Sequence, residues 1–149
     1  MQKVFALVAV VFIFSVTFAQ TKTGVKPEEF ETSMRTTGYG IFSVNGSGIG
    51  GQLQIAERAG GGTNVIVTLD GIDTGNYYAL EFRQGDCGPD RSLLTALEPV
   101  PSIPGDPQAS ETKTSLSFEE ITEANNFIYV YNSDGSVAAC GEVGLGANR

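Results

Sequence analysis

The sequence predicts an all-β domain, an antiparallel sandwich or barrel, and three observations support that prediction. Short runs alternate apolar and polar residues, as in GGQLQIAER at 50–58 and NVIVTLDG at 64–71. Turn signals rich in glycine, asparagine and aspartate separate these runs at regular intervals. The chain has 19 glycines in 149 residues, well above the usual share of about 7%, which fits many tight turns.

The first 19 residues predict a secretory signal peptide. Lys3 supplies a positive start, residues 4–14 are almost purely apolar, and Thr17-Phe18-Ala19 is a small-x-small cleavage pattern. The alternative is an uncleaved anchor, but a span needs about 20 apolar residues and this run is shorter. We therefore expect cleavage after Ala19, no stable membrane insertion afterwards, and a secreted or periplasmic protein.

After an exposed lead-in at 20–36, strand signals follow one another through a single domain at 37–149. They are GYGIFSV, GGQLQIAER, NVIVTLDG, YYALEFRQ, ASETKTSLS, FIYVY and SVAACGEV. ASETKTSLS is polar enough for an edge strand, whereas the proline-rich LEPVPSIPGDPQ at 97–108 predicts a loop. Ser117 and Glu120 have the spacing of a capping box, which predicts one short helical turn.

The charge balance excludes one class of partner. The chain has 9 basic and 17 acidic residues and a formal net charge of −8. Because the signal peptide carries Lys3 and no acidic residue, the mature chain of 130 residues has a net charge of −9. An acidic surface repels nucleic acid and anionic lipid. The expected partner is therefore an unidentified protein or small molecule, and not a nucleic acid.

The two cysteines, Cys87 and Cys140, predict a disulfide. In an exported protein an even cysteine count favours oxidation, and two cysteines permit one pairing. The alternatives are two free thiols or a soft-metal site, although two sulfurs without histidine supply few metal ligands. Closing a loop of this length stabilises the fold by about 4 kcal/mol in the chain-entropy model.

Three groups of residues occur in the order typical of one known family. They are Leu69, Gly71, Ile72 and Gly75, then Gly85-Asp86-Cys87, then Ala139-Cys140-Gly141-Glu142-Val143. Over residues 38–146 this order resembles the copper–zinc superoxide dismutase fold and the related chordin-type (CHRD) domains of bacteria. The resemblance implies a Greek-key β-sandwich or flattened barrel. It also implies that Cys87 ties a long loop to the last strand through Cys140.

The chemistry of that family is not expected here. Dismutase copper is held by several imidazoles, and copper(II) strongly prefers histidine nitrogen. The chain has no histidine, so no alignment register can supply one. We therefore expect no enzyme activity, no metal site and no cofactor. A serine–histidine nucleophile is excluded for the same reason, and nothing brings together two of the carboxylates Glu81, Glu119, Glu120 and Glu142 for hydrolysis.

The choice between two alignment registers determines which residues replace the H-x-H metal ligands of the family. One register puts Leu80 and Phe82 at those positions, and the other, counted back from Cys87, puts Glu81 and Arg83 there. The first would turn Glu81 into the core, which costs several kcal/mol for an unpaired carboxylate. The second buries Leu80 and Phe82, worth about 2 kcal/mol each. We therefore predict the second register.

The same alternation points Tyr129 and Tyr131 outward, with Ile128 and Val130 inward, and by resemblance Tyr131 stands at another copper-ligand position. The former metal face then carries Glu81, Arg83, Tyr129 and Tyr131. This face is either an ordinary solvated sheet surface or a small binding patch with tyrosine and arginine anchors.

These residues predict a non-catalytic function. We expect a binding or structural module of the cell envelope or extracellular space. The alternative is a small-ligand or metal-ion binder that uses the degenerate former metal face.

Overall fold

A computed structural model describes residues 35–89 and 91–148 of the chain. Eight antiparallel strands form one sheet that nearly closes into a barrel, and a disulfide joins Cys87 to Cys140. The predicted all-β fold with one disulfide is confirmed. The predicted signal peptide and most of the predicted lead-in lie outside the described residues, so both stay predictions.

The strands follow the sequence signals closely, with one exception. Their bounds are β1 Thr36–Ser43, β2 Gly50–Glu57, β3 Thr63–Asp70, β4 Tyr77–Gln84, β5 Leu93–Pro101, β6 Ala109–Thr114, β7 Asn125–Tyr131 and β8 Val137–Gly144. A short helix, α1, spans Phe118–Thr122, and a 3-10 turn spans Leu145–Asn148. The exception is β5, which falls partly in the segment predicted to be a loop.

The spatial order of the strands is β5-β4-β7-β8-β1-β2-β3-β6. β6 returns to lie beside β3, and β7 returns to lie beside β4, which are the long connections of a Greek key. The end strands β5 and β6 approach each other without a backbone ladder. Across this gap the backbone N–H of Glu98 donates to Thr112 Oγ1 at 2.8 Å.

Alternating side chains from strands on opposite sides of the barrel fill its interior. As predicted, β2 turns Leu53 and Ile55 inward, and β3 turns Val65, Val67 and Leu69 inward. On the opposite side β4 contributes Leu80 and Phe82, and β7 contributes Ile128 and Val130. Burying a side chain of this size stabilises the fold by about 2 kcal/mol, so this core is the main source of stability.

The predicted loop at 97–108 is wrong for its first five residues, which complete β5. A β-bulge places Glu98 and Pro99 opposite Ala79, and Leu97 and Val100 on either side of the bulge are both buried. The extra residue spaces the two inward side chains three apart, which hides the period-two pattern. Proline lacks a backbone N–H and is tolerated at a bulge in an edge strand.

Arg35, in the segment predicted to be an exposed lead-in, makes several contacts with the domain. Arg35 donates from Nε and Nη2 to the two carboxylate oxygens of Glu57, each at 2.8 Å. It also bonds Glu119 of α1, and its guanidinium lies 4.6 Å above the centre of the Phe118 ring. Arg35 therefore joins the start of β1 to β2 and to the helix.

Helix α1 begins with the predicted capping box. Ser117 Oγ accepts a hydrogen bond from the backbone N–H of Glu120 at 3.1 Å, and Glu120 Oε2 accepts one from the backbone N–H of Ser117 at 2.7 Å. At the other end the side-chain amide of Asn126 donates to the backbone oxygens of Glu120 and Ile121. So short a helix depends on these caps and on buried Ile121.

We expect the melting temperature to fall as the pH is lowered below about 4.5. The Arg35 guanidinium lowers the pKa of Glu57 and Glu119, and hydrogen bonds from Ser117 lower the pKa of Glu120. A lowered pKa in the folded state adds stability above the unfolded pKa of about 4.3, and that stability is lost as the pH falls through the folded value.

Circular dichroism melts across the acid range test this expectation. The Glu120→Gln variant should lose less stability between neutral and acid pH than the wild type, because one of the titrating groups is gone. Glu111→Gln, on the exposed side of β6, is the matched control and should keep the wild-type profile. An unchanged acid profile for Glu120→Gln would contradict the capping contribution.

Candidate functional site

The outward face of β4 and β7 carries the four residues predicted as a patch. Leu80 and Phe82 are 1% and 0% exposed, whereas the side chains of Glu81 and Arg83 on the opposite face are 26% and 25% exposed. The predicted orientation of β4 is therefore confirmed. β7 pairs antiparallel with β4 and places Tyr129 directly across from Glu81.

Glu81, Arg83 and Tyr131 form one hydrogen-bonded group. Arg83 donates from Nε to Glu81 Oε2 at 2.9 Å, and its Nη2 lies 2.8 Å from the same oxygen. The Tyr131 hydroxyl also donates to Glu81 Oε2, at 2.8 Å. These contacts hold the guanidinium and the phenol in fixed positions relative to the carboxylate.

The electrostatics of this group follow from its partial burial. The hydrogen bond to Glu81 raises the pKa of Arg83, so the guanidinium stays charged. Burial, and then the hydrogen bond to the Glu81 carboxylate, raise the pKa of Tyr131, so the phenol stays protonated and donates. The group thus pairs one positive and one negative charge with a neutral phenol.

Tyr129 joins the patch by ring contacts and bonds the loop that follows β4. Its ring packs edge to face against Tyr131, with centroids 5.7 Å apart, and against Phe127, with centroids 4.7 Å apart. Its hydroxyl donates to the backbone oxygen of Gly88 at 2.7 Å. The structure therefore brings all four predicted residues together, although Tyr129 hydrogen-bonds to the loop and the other three hydrogen-bond to one another.

The described residues between β4 and β5, 85–89 and 91–92, are attached to this outer face at several points. The Cys87–Cys140 disulfide joins it to β8, with the two Cα atoms 6.2 Å apart. Arg83 Nη1 donates to the backbone oxygen of Arg91, and the backbone N–H of Gly85 donates to the backbone oxygen of Asn125. The described residues of this loop therefore lie against part of the outer face.

Phe127 is a residue of this face that the sequence analysis did not identify. Its position in β7 puts it on the outward side with Tyr129, directly between Arg83 of β4 and Glu142 of β8, yet it is 0% exposed. It lies apart from the buried cluster that fills the barrel. The one available signal was a phenylalanine at an outward position beside two tyrosines, which indicates a second, smaller apolar layer.

A hollow of about 560 Å³ opens beside the patch. Its walls are formed by Val44, Asn45, Arg83, Cys87, Gly88, Pro89, Tyr129, Tyr131, Val137 and Cys140. The volume lies within the range of about 300–1,000 Å³ found for small-molecule sites. The disulfide, two phenol rings and one guanidinium therefore border a space large enough for a ligand or for a side chain of a partner.

The other carboxylates considered for catalysis lie elsewhere. Glu119 bonds Arg35 and Glu120 bonds Ser117, so both serve α1 and its contacts. Glu142 lies on β8, across from Phe127. Residues 35–89 and 91–148 contain no cluster of three or more cysteine, aspartate or glutamate side chains arranged to hold a metal ion.

Two observations bear on the compartment. A disulfide is typical of an oxidising, extracytoplasmic environment. Within the part of the chain that the structure describes, no helix has the length and apolar character to span a bilayer.

A scan against protein-family models and searches of curated proteins and solved structures find no match to this chain.

Proposed function

We propose that this chain is an exported, non-catalytic β-sandwich module whose binding surface is the hollow beside Arg83, Tyr129 and Tyr131. We further propose that it is a superoxide dismutase-like or CHRD-like domain that lacks the metal-binding histidines. The observation that carries the proposed function is the hollow of about 560 Å³, which is lined by three of the four predicted patch residues, Arg83, Tyr129 and Tyr131.

The rigidity of the patch supports a binding function. Arg83 is held by Glu81, Tyr131 by Glu81, and Tyr129 by Gly88, so these side chains lose little conformational entropy when a partner binds. Tyrosine and arginine are, with tryptophan, the residue types enriched among the anchors of protein interfaces. A partner would meet a preorganised surface and not a set of freely rotating side chains.

The charge of the surface indicates what kind of partner it fits. Glu81 offsets the charge of Arg83, so the hollow presents aromatic faces and hydrogen-bonding groups with little net charge. Strongly anionic partners would also be repelled by the net charge of −8 on the whole chain. We therefore propose a protein or small-molecule partner that makes aromatic and neutral polar contacts.

The alternative, a small-ligand or metal-ion binder, is favoured by one specific contact pattern. The hydrogen bonds from Arg83 and Tyr131 all reach Oε2 of Glu81. Oε1 of Glu81 accepts no hydrogen bond from residues in the described ranges. A ligand with a hydrogen-bond donor, or a cation, could use that oxygen.

Paired variants test the binding surface. We expect Arg83→Ala and Tyr131→Ala to abolish capture of a specific partner when the purified protein is immobilised and exposed to the extracytoplasmic fraction of its source. Gln84→Ala, an exposed neighbour on β4, is the matched control and should capture as the wild type does. Identical recovery by all four proteins would contradict a binding function for this face.

The non-catalytic part of the proposal has its own test. Metal analysis of the purified protein should find no stoichiometric copper or zinc, and a superoxide dismutase assay should give the background rate. Bound copper together with dismutase activity would overturn it, whatever the capture assay shows.

A further inference from the structure

The turn between β1 and β2 contains an asparagine followed by a glycine. The backbone N–H of Ser47 donates to the backbone oxygen of Val44 at 3.1 Å, which closes a four-residue turn. Its central residues, Asn45 and Gly46, have φ values of 55° and 71°, as in a type I′ turn. No other asparagine of the chain is followed by glycine.

The two groups that would react are not engaged by strong contacts. The side-chain nitrogen of Asn45 makes one long contact, 3.4 Å to the backbone oxygen of Val137. The backbone N–H of Gly46 donates to no residue within the described ranges, and apart from its two chain neighbours nothing lies within 4 Å of where a Cβ of Gly46 would stand. Neither reacting group is therefore held by a short hydrogen bond.

We propose that Asn45 is a site of spontaneous, non-enzymatic modification through a succinimide. The backbone nitrogen of Gly46 attacks Cγ of Asn45, the N–Cγ bond forms, and the Cγ–Nδ2 bond breaks. Nδ2 leaves as ammonia, with the proton that the Gly46 amide gives up. Water then opens the ring by breaking either the N–Cγ bond, which yields aspartate, or the bond from nitrogen to the backbone carbonyl carbon, which yields isoaspartate.

One backbone angle of Asn45 already has the sign that ring closure requires. Ring closure fixes ψ of residue 45 near the value of the first central position in a type II′ turn, about −120°. That position also requires a positive φ, which Asn45 has. The remaining change is a flip of the peptide between Asn45 and Gly46, and glycine accepts both signs of φ at little cost.

The modification changes the charge at the hollow. Asn45 lines the same hollow as Arg83, so a carboxylate at residue 45 adds a negative charge to its wall and takes the formal charge of the chain from −8 to −9. Any effect of that charge on a partner rests on the proposed function. The covalent change itself does not depend on it.

Prolonged incubation of the full protein at physiological temperature, in water enriched in ¹⁸O, tests the proposal. Peptide mass mapping should show deamidation confined to residue 45, with one ¹⁸O atom incorporated and both aspartate and isoaspartate products. The rate should rise with pH, because the attacking amide must lose its proton. The Asn45→Gln variant should show no modification at this position.

Asn132 is the matched control, since it lies in the turn between β7 and β8 but precedes serine, and its side-chain nitrogen donates to Ser136 Oγ at 3.0 Å. Absence of modification at Asn45, or equal modification at Asn132, would overturn the proposal. Aspartate formed without isoaspartate would also overturn it, because direct hydrolysis would then replace ring closure.

Discussion

Replacing Cys87 with serine and Cys140 with alanine should lower the free energy of unfolding by about 4 kcal/mol. The disulfide closes a loop with a sequence separation of 53 residues, and removing it restores the conformational entropy of the unfolded chain. For a domain of this size the melting temperature should fall by on the order of 15 °C. Alanine suits position 140 because Cys140 is only 4% exposed, and a buried serine hydroxyl would add its own cost.

Urea denaturation monitored by circular dichroism measures the change. The matched comparison is the wild type unfolded in the presence of dithiothreitol, which breaks the same bond without changing the side chains. The double variant and the reduced wild type should have similarly lowered free energies of unfolding, each compared with the oxidised wild type. A loss below about 1 kcal/mol would contradict a stabilising role for the disulfide. A loss confined to the variant would show that packing at Cys140, and not the covalent link, is what the substitution removes.

Much of the fold could be predicted because the relevant interactions are local or periodic. Strict alternation in β3 and β4 determines which side chains share a face of the strand. The cost of burying the Glu81 carboxylate then indicates that Leu80 and Phe82 point into the core. The capping box at Ser117 needs four consecutive residues, so it too is visible in the sequence. Two cysteines in an otherwise cysteine-free chain left one intramolecular pairing.

The features that escaped prediction depend on residues far apart in the chain. The bulge at Pro99 is defined by the register of β5 against β4, which shifts between the pairs Tyr78–Val100 and Leu80–Leu97, and without that pairing the segment resembles a loop. Arg35 was assigned to an exposed lead-in because its partners, Glu57 and Glu119, are distant in sequence. Neither a spacing rule nor a propensity scale contains this information.

The candidate site shows the same division between local and long-range information. Alternation alone placed Glu81 and Arg83 on one face of β4, and the two residues indeed form an ion pair there. The attachment of the loop to β8 through Cys87 and Cys140 was also predicted, from the cysteine count and the resemblance. The hydrogen bond from Tyr129 to Gly88 was not, because it joins residues far apart in the sequence and requires the folded chain.

Phe127→Ala should lower the free energy of unfolding by about 3–5 kcal/mol, although Phe127 lies outside the main core. The side chain is 0% exposed and packs edge to face against Tyr129, so truncation leaves a cavity and removes an aromatic contact. Phe42→Ala is the matched control, because Phe42 occupies β1 on the same outer surface but is 71% exposed. The Phe42→Ala substitution should change the free energy of unfolding by no more than about 0.5 kcal/mol.

Combining Phe127→Ala with the loss of the disulfide tests whether the outer layer acts as one unit. Cys140 pairs directly with Tyr129, and Tyr129 contacts Phe127, so the two changes share a neighbour. We expect the combined variant to lose less stability than the two separate losses together, by about 0.5–3 kcal/mol. Such coupling means that the attached loop and the buried ring hold Tyr129, and with it one wall of the hollow, in place. Additive losses, measured by the same urea denaturation, would show instead that Phe127 is buried independently of the disulfide.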